Sequence, residues 1–497
     1  DRIRNGEEIP LSKFHEGEDE ITRQIIEYGG LFPFNVARLQ GKVNVPALDT
    51  PKRAMTLAEK IFARQFVADA ANGRIGVPAV KPGDAGFAAV DLRFSHEYVT
   101  PMAADFFHRY AGDEARVNDP KTIVFFRDHL TFLGDVMTPE RIKEGLLDVA
   151  LQLKKMQEDF AAEQGITLHG ELAGGHGSEA ICHSKVLQDY ALPGQLIIGS
   201  DSHTPHSGAI GCVAFGVGTT DVFNSWITKD VRVRVPEEIL RHPFVKSGQA
   251  IGKILEYCGS AVEELSIDER ATMTNMAAEV GAFTGIVAPD AKAVDFLVAT
   301  RGLDRKAAQA MLDGLFSDPD AEYAEIIEID AQNMRPLVAT PGDPGNGMYI
   351  HELPARVKVD IAYAGSCTAG KKDDMDMYAR VLREGLEQGR TVHPDVRFYI
   401  QFGSQEVKRY CEAKGYMPIF QAVGAQVIEP SCGACINAGP GVSRTVNEVT
   451  VSAINRNFPG RSGPGQMYLA SPLTVAASAL AGYITEYTPR VAAPTVA

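Results

Sequence analysis

Three cysteines constrain this chain more than any other feature: Cys367 in the frame A-G-S-C-T-A-G, and the pair Cys432 and Cys435 in P-S-C-G-A-C-I. Each frame directly follows a short apolar run that reads as a β-strand, so the thiols are expected in strand-end loops. Three soft ligands can hold three irons of a cubane cluster and leave a fourth iron open. Zinc with a histidine as fourth ligand, or plain buried thiols, fit the same spacing. Cys182, Cys212, Cys258 and Cys411 read as buried or incidental thiols, and seven cysteines in 497 residues do not make a disulfide framework.

The rest of the chain predicts α/β layers with parallel sheet. Ile142, Leu146, Val149, Leu153, Met156 and Phe160 fall on one helical face, and Leu196-Ile197-Ile198 then reads as a buried strand. Further strands are expected at Val359–Tyr363, Val396–Phe402 and Gln426–Ile428, and a helix carrying Met375, Tyr378, Leu382 and Leu386 on one face. The last helix is expected to start with Ser471 as N-cap and Pro472 at its first position, and to stop near Gly482. Residues 1–54 read as a polar extension lying on the surface, ahead of a helix near Met55–Ala70. No internal repeat is found. Lys229–Glu238 and Pro341–Gly347 read as linkers, which gives units of 55–232, 233–343 and 344–497.

Charge narrows the partners. Lys plus Arg is 49 against 64 Asp plus Glu, a net charge of −15, which disfavours nucleic acid and anionic membranes. An anionic substrate must then meet local cations. No apolar run approaches the roughly 18 residues of a membrane helix, and the expected location is cytoplasmic, or an organellar matrix if a leader was removed.

Several polar groups are candidates for chemistry. Asp128-His129, Asp201-Ser202-His203 and His183 suit general acid/base work, since a carboxylate orients an imidazole and raises its proton affinity. Capped loops are the plainer alternative. Glu279 lies in an apolar neighbourhood expected to raise its pKa. Asn455-Arg456-Asn457-Phe458-Pro459-Gly460-Arg461 sets two guanidinium groups in one loop, suited to carboxylates.

In combination these motifs resemble the aconitase superfamily, most closely large subunits of the isopropylmalate isomerase and homoaconitase type, through most of residues 55–485. Ile198-Gly199-Ser200-Asp201-Ser202-His203-Thr204-Pro205 is similar to the family's histidine loop, Gly365-Ser366-Cys367-Thr368 and Cys432-Gly433-Ala434-Cys435 to its cluster ligands, and Asn455–Arg461 to its carboxylate-binding loop. The resemblance implies a three-domain α/β/α architecture around a [4Fe-4S] cluster on Cys367, Cys432 and Cys435, acting as a Lewis acid. It also implies His129, oriented by Asp128, as the acid that protonates a departing hydroxyl, with His183, His203 and Glu279 completing the hydrogen bonding. Arg456 and Arg461, with His96 and Ser202, would meet substrate; Asn275 and Asn455 would donate around the cluster; Asp201 would pair with a swivelling fourth domain. The chain departs from the family pattern at Ala369-Gly370-Lys371-Lys372.

The family's swivelling domain carries a serine base on a Ser-Arg loop that is not found here. A separate small subunit is therefore expected to bring it. The implied activity is reversible dehydration of a 2-hydroxy di- or tricarboxylate such as isopropylmalate, with citrate, homocitrate or dimethylmalate as alternatives. The competing class is a noncatalytic cluster-sensing or metal-stabilised regulator; acid/base groups together with carboxylate clamps favour catalysis.

Overall fold

The computed structural model describes residues 4–43, 45–236, 238–239 and 250–489. Three parallel sheets organise them. The first contains β1 (Leu92–His96), β2 (Ile123–Phe126), β3 (Thr167–His169), β4 (Leu196–Gly199) and β5 (Val213–Gly216), in the spatial order β3-β2-β1-β4-β5, every pair parallel. A smaller sheet has β6 (Glu238–Ile239), β7 (Ile254–Tyr257) and β8 (Thr284–Val287) side by side.

The third sheet has β9 (Leu337–Ala339), β10 (Gly347–Tyr349), β11 (Ile361–Ala364), β12 (Arg397–Gln401), β13 (Gln426–Ile428), β14 (Val449–Ser452) and β15 (Gln466–Ala470). Its order is β10-β9-β15-β14-β11-β12-β13, parallel except for the antiparallel edge of β9 and β10. Its five parallel strands thus repeat the winding of the first sheet, with the direction in which successive strands are added reversing between β11 and β14 as it does between β1 and β4. Ligands collect at the carboxyl ends beside such reversals. The repetition is one of topology, invisible in the sequence.

Strand interiors are buried on both sides, as covered parallel sheets require: Ile197, Phe126, Ile361 and Ile400 have no more than 1% exposure. Helix α1 (Leu57–Gln65) buries Leu57, Ile61 and Phe62 and opens with a capping box between Thr56 and Glu59. It is shorter than the expected Met55–Ala70, because Val67–Asp69 pairs as a strand with Arg74–Ile75. The expected strands near 359, 396 and 426 are β11, β12 and β13. In α4 (Lys372–Glu387) Met375, Tyr378 and Leu382 are buried, with Leu386 half-buried against them. The last helix, α5 (Pro472–Ala481), has Ser471 as N-cap, its hydroxyl accepting from Thr474 N, and Gly482 as a left-handed C-cap.

Three expectations change. Helix α2 (Leu146–Gln164) turns Ala150, Gln157, Phe160, Ala161 and Gln164 inward, leaving Leu146, Val149 and Met156 exposed. The reason is Gln157, whose buried amide donates to Phe126 O at 3.0 Å and Thr100 Oγ1 at 3.2 Å and so draws the narrow alanine face against the sheet. The supposed linker Lys229–Glu238 contains a strand, Asp230–Arg234, paired antiparallel with Ala85–Ala89. Pro341–Gly347 is a hairpin loop leading into β10. The divisions at 232 and 343 thus cut a strand and a hairpin, and a separation into units, one per sheet, stays a proposal.

The N-terminal segment is tied down by more than surface contact. Its helix Leu31–Leu39 buries Phe34 and Arg38, and the Arg38 guanidinium holds Asp230 in a two-point bond of 2.8 and 2.9 Å. Both partners are buried, so removing either strands a charge, at a cost of about 3–5 kcal/mol. The sequence also reads Pro489–Ala497 as loop, and residues 490–497 lie outside the described residues.

Gly208, in the turn after β4, packs against the backbone of β8: a Cβ there would lie 1.9 Å from Gly285 O. Gly208→Ala is expected to lower stability by about 1–3 kcal/mol or more. Gly134→Ala, which meets nothing within 4 Å, should be near neutral. Matching denaturation midpoints for the two variants would refute this packing.

Candidate functional site

The expected site residues lie at carboxyl ends of parallel strands and on the helices beside them. His96 ends β1, Asp128 and His129 follow β2, and Asp201, Ser202 and His203 follow β4; Cys367 follows β11, Cys432 and Cys435 follow β13, and Asn455 and Arg456 follow β14. His183 stands on the short helix Cys182–Lys185, Asn275 on α3 (Ile267–Met276), and Glu279 on the turn after it.

Hydrogen bonds join these residues into one chain. Asp128 Oδ1 holds His129 Nδ1 at 2.8 Å, and His129 Nε2 lies 3.5 Å from Asp201 Oδ2. The other oxygen of Asp201 meets His183 Nε2 at 3.1 Å, His203 N at 2.8 Å and His203 Nδ1 at 3.2 Å. His203 Nε2 continues to Glu279 Oε1 at 2.7 Å, which takes Arg456 Nε at 2.8 Å, and Arg456 Nη2 returns to Ser202 Oγ at 2.8 Å. Asp201 is thus engaged by three imidazoles of its own chain.

The charges follow from this arrangement. Burial opposes ionisation of Asp128, yet the His129 imidazolium and its bond hold the carboxyl down to about 2. Asp201 is likewise held well below the usual carboxylate range, against burial, by His129, His183 and His203. His129 is held well above an ordinary histidine despite its burial, by Cys432, Asp128 and Asp201, and so stays protonated. His203 is raised, again against burial, by Asp201 and Glu279. His96 stacks on His129 at 3.9 Å between ring centroids; burial and that neighbour push it down to about 3, so it is neutral. Glu279 departs from expectation: its pKa is lowered, because His203 and Arg456 outweigh its burial.

The three expected metal ligands converge. Asn455 Nδ2 is 3.9 Å from Cys367 Sγ and its Oδ1 is 3.4 Å from Cys435 Sγ; Asn275 Nδ2 approaches Cys367 Sγ at 3.4 Å. Cys432 and Cys435 share one tight turn, Cys435 N donating to Cys432 O at 2.9 Å. All three are free thiols, and burial pushes Cys367 up to about 12 and Cys432 well above a normal thiol. Buried thiols this hard to ionise, gathered without a disulfide, become good ligands once a bound soft metal supplies the positive charge. The donor set fits a thiolate-held metal group. Of the remaining cysteines, Cys182, Cys212 and Cys411 are buried and Cys258 is exposed.

Arg461 points its Nη2 to within 3.8 Å of Cys435 Sγ, while its Nε is buried without a partner. That is a cationic donor beside the thiols with capacity left for an anion.

Three functional neighbours escaped sequence reasoning. Glu97 accepts the backbone N–H groups of Asp128, His129 and Leu130 at 3.3, 2.7 and 2.7 Å, and so shapes the Asp128-His129 loop. Tyr98 sets its ring edge-on to His129 at 5.9 Å, and His206 bonds Asn275. Proximity of Glu97 and Tyr98 to His96 was the one available signal. At the departure Ala369-Gly370-Lys371-Lys372, Gly370 is required by close approach to Ser366 O, and the buried Lys371 ammonium turns to Thr272 Oγ1, Thr368 O and Asp374. Lys371 therefore anchors α3 and α4 behind Cys367.

Comparison with known proteins agrees with this geometry. The model of the Aconitase family (aconitate hydratase) matches residues 59–242 and 238–482. The chain is 35% identical over 452 residues to "3-isopropylmalate dehydratase large subunit 1" of Pyrococcus furiosus, covering 86% of this chain and 97% of the relative. It is 34% identical over 463 residues to the "3-isopropylmalate dehydratase large subunit" of Moorella thermoacetica, covering 88% and 98%. The Aquifex aeolicus protein of the same name is 32% identical over 465 residues, covering 89% and 99%.

Asp268, beside Lys371, has its pKa raised to about 6, chiefly by burial and by Asp373 and Asp374. A carboxyl raised above its unfolded value of about 3.9 destabilises the fold above its folded pKa, and the penalty vanishes below the unfolded one. Asp268→Asn should therefore raise the melting temperature at about pH 8, with the gain disappearing by about pH 4. An equal difference at both pH values would refute it.

Proposed function

The chain belongs to the aconitase family, and on that premise we propose that it is the large subunit of a hydro-lyase that dehydrates and rehydrates a 2-hydroxy dicarboxylate of the 3-isopropylmalate kind. One observation carries this reading: three convergent thiols, a protonated imidazole and an incompletely satisfied guanidinium occupy one site. Cys367, Cys432 and Cys435 would hold an iron–sulfur cluster, which we take to be [4Fe-4S], and it would supply Lewis-acid chemistry there.

The protein's own groups do the rest. His129 holds a proton at Nε2, with Nδ1 fixed by Asp128, and so can protonate a departing hydroxyl. His183 and His203, both held by Asp201, hydrogen-bond the same region. Arg461 and the remaining donor capacity of Arg456 bind substrate carboxylate, and His96 with Ser202 line the approach. Asn275 and Asn455 donate toward cysteine sulfur.

Dehydration also needs a base for the carbon-bound proton. Glu279 and Asp201 are poor bases, since each is engaged by cations that lower its pKa. This favours a base brought by a small subunit, as the "large subunit" names of the relatives imply for those proteins. Among the described residues no helix is long and apolar enough to cross a membrane. A cytoplasmic or organellar-matrix location accords with a cluster of this type.

Anaerobically prepared protein should contain iron and acid-labile sulfide near four each per chain, about the number the cluster type dictates. Cys432→Ser should abolish both, and Cys258→Ser, at an exposed thiol, should retain them. One zinc without sulfide would overturn the assignment.

Hydratase assays against isopropylmalate, citrate, homocitrate and dimethylmalate, with and without the co-purified small subunit, test the reaction. Activity is expected only when the chain and its partner are both present, and full activity from the isolated chain would refute the two-subunit reading. Arg461→Lys in the complex should cut kcat/KM roughly ten- to a hundredfold, the worth of about 1.5–3 kcal/mol for a lost charge-assisted bond. Unchanged kinetics would remove Arg461 from substrate binding.

A further inference from the structure

His206 is buried, 1% exposed, and takes no part in the acid/base chain. Its backbone is fixed at both ends: His206 N donates to His203 O at 3.1 Å, and Thr274 Oγ1 donates to His206 O at 3.2 Å. The ring places Nδ1 3.2 Å from Asn275 Nδ2, while Nε2 has no partner among the described residues. Burial, reinforced by the nearby Lys371 ammonium, keeps this imidazole neutral. The facing amide can pair with Nδ1 in either sense, donating to its lone pair or accepting an imidazole N–H, so the ring tautomer follows the amide.

Asn275 is the next link. Its Nδ2 faces both His206 Nδ1 and, at 3.4 Å, Cys367 Sγ, while its Oδ1 accepts from Asn455 Nδ2 at 3.2 Å. Two amides in series can satisfy each other in either sense: rotating both by a half turn exchanges donor and acceptor and keeps the bond between them. The reversed sense would aim Asn275 Oδ1 at the sulfur of Cys367, an oxygen lone pair against a ligand that carries negative charge when metal is bound. A metal-bound Cys367 thiolate therefore selects the first sense, with the Asn275 N–H₂ toward sulfur. In that sense the second N–H of Asn275 donates to His206 Nδ1, the ring proton lies on Nε2, and the amide is held at both of its hydrogens.

We propose that His206 is a positioning residue for the metal centre: its Nδ1 accepts one N–H of the Asn275 amide and so holds the other on the Cys367 sulfur. The inference rests on the cluster assignment above. Hydrogen bonds to cluster sulfur withdraw electron density from it and raise the reduction potential, so loss of the fixed orientation lowers that potential. The effect reaches the metal only through Asn275.

The test compares His206→Gln, which retains an acceptor oxygen, with His206→Met, of similar length and without one, in anaerobically prepared protein. The readouts are iron and sulfide content, the midpoint potential and the EPR spectrum of the reduced cluster. His206→Met should shift the potential downward and alter the spectrum, and His206→Gln should stay near the parent. Asn275→Leu should shift it as well, and the Asn275→Leu/His206→Met double variant should show no more than the Asn275→Leu shift, since the two act as one unit. Loss of the cluster in the methionine variant with its retention in the glutamine variant also supports the proposal. Equal potentials in the two His206 variants, additive shifts in the double variant, or failure of both His206 variants to hold iron would each overturn it, the last because the ring would then be needed for packing rather than for its lone pair. Parent protein lacking acid-labile sulfide would refute the cluster assignment itself before any variant is compared.

Discussion

Asp128 is the joint on which the site depends. Its Oδ1 orients His129, its Oδ2 accepts Cys182 N at 2.7 Å on the helix that carries His183, and its carbonyl accepts Cys432 N at 2.7 Å and Ser431 Oγ at 2.8 Å. One residue thereby ties the end of β2 in the first sheet to the cysteine turn of the third. The side chain has no exposure, and a fully buried carboxylate is tolerated only where hydrogen bonds and a counter-charge replace water. The imidazolium of His129 supplies that charge, which is also what keeps His129 protonated. Orientation, protonation and docking of the two sheets are therefore a single electrostatic arrangement.

The symmetry of the fold explains why such a joint can exist. The two large sheets share one winding, and each places its reversal point, with the loops beyond it, toward the same centre. Asp201 and His203 come from the first reversal and Cys367, Asn455 and Arg456 from the second, with Asp128-His129 beyond β2 and the cysteine pair beyond β13. The His129 imidazole and the cysteine turn come from different sheets. The contact between Thr131 Oγ1 and Ser431 Oγ at 2.7 Å, next to Asp128, holds the two loops in register.

Much of this was legible because short motifs carry strong local meaning. The cysteine frames, Asp128-His129, Asp201-Ser202-His203 and the arginine loop are each compact in sequence, and strand-end position follows from the apolar runs before them. The last helix was legible from its Ser471, Pro472 and Gly482 punctuation. What escaped depends on distant partners. The lowered pKa of Glu279 comes in part from Arg456, 177 residues away, so its apolar neighbours in sequence gave the wrong sign. Glu97 acts by accepting three backbone N–H groups, which no residue pattern encodes. The apolar stripe of α2 pointed outward because a polar residue, Gln157, had the better use for the interior. Alternation in Val231 and Val233 was a strand signal that the neighbouring charges and Pro236 obscured.

The arrangement also settles how an acidic chain can serve an anionic substrate. With a net charge of −15, the long-range field repels a dicarboxylate, so recognition has to come from short-range groups that water does not screen. Within the site, Asp128 and Asp201 are compensated by imidazoles and Glu279 by His203 and Arg456, which leaves those carboxylates little field with which to oppose an incoming anion. Arg456 spends its Nε on Glu279, whereas Arg461 keeps a buried, unpartnered Nε. A half-buried guanidinium whose Nε is buried without a partner is costly until an anion arrives, and in the function proposed above that anion is a substrate carboxylate. Under that proposal the charge balance of the site is completed by what it binds.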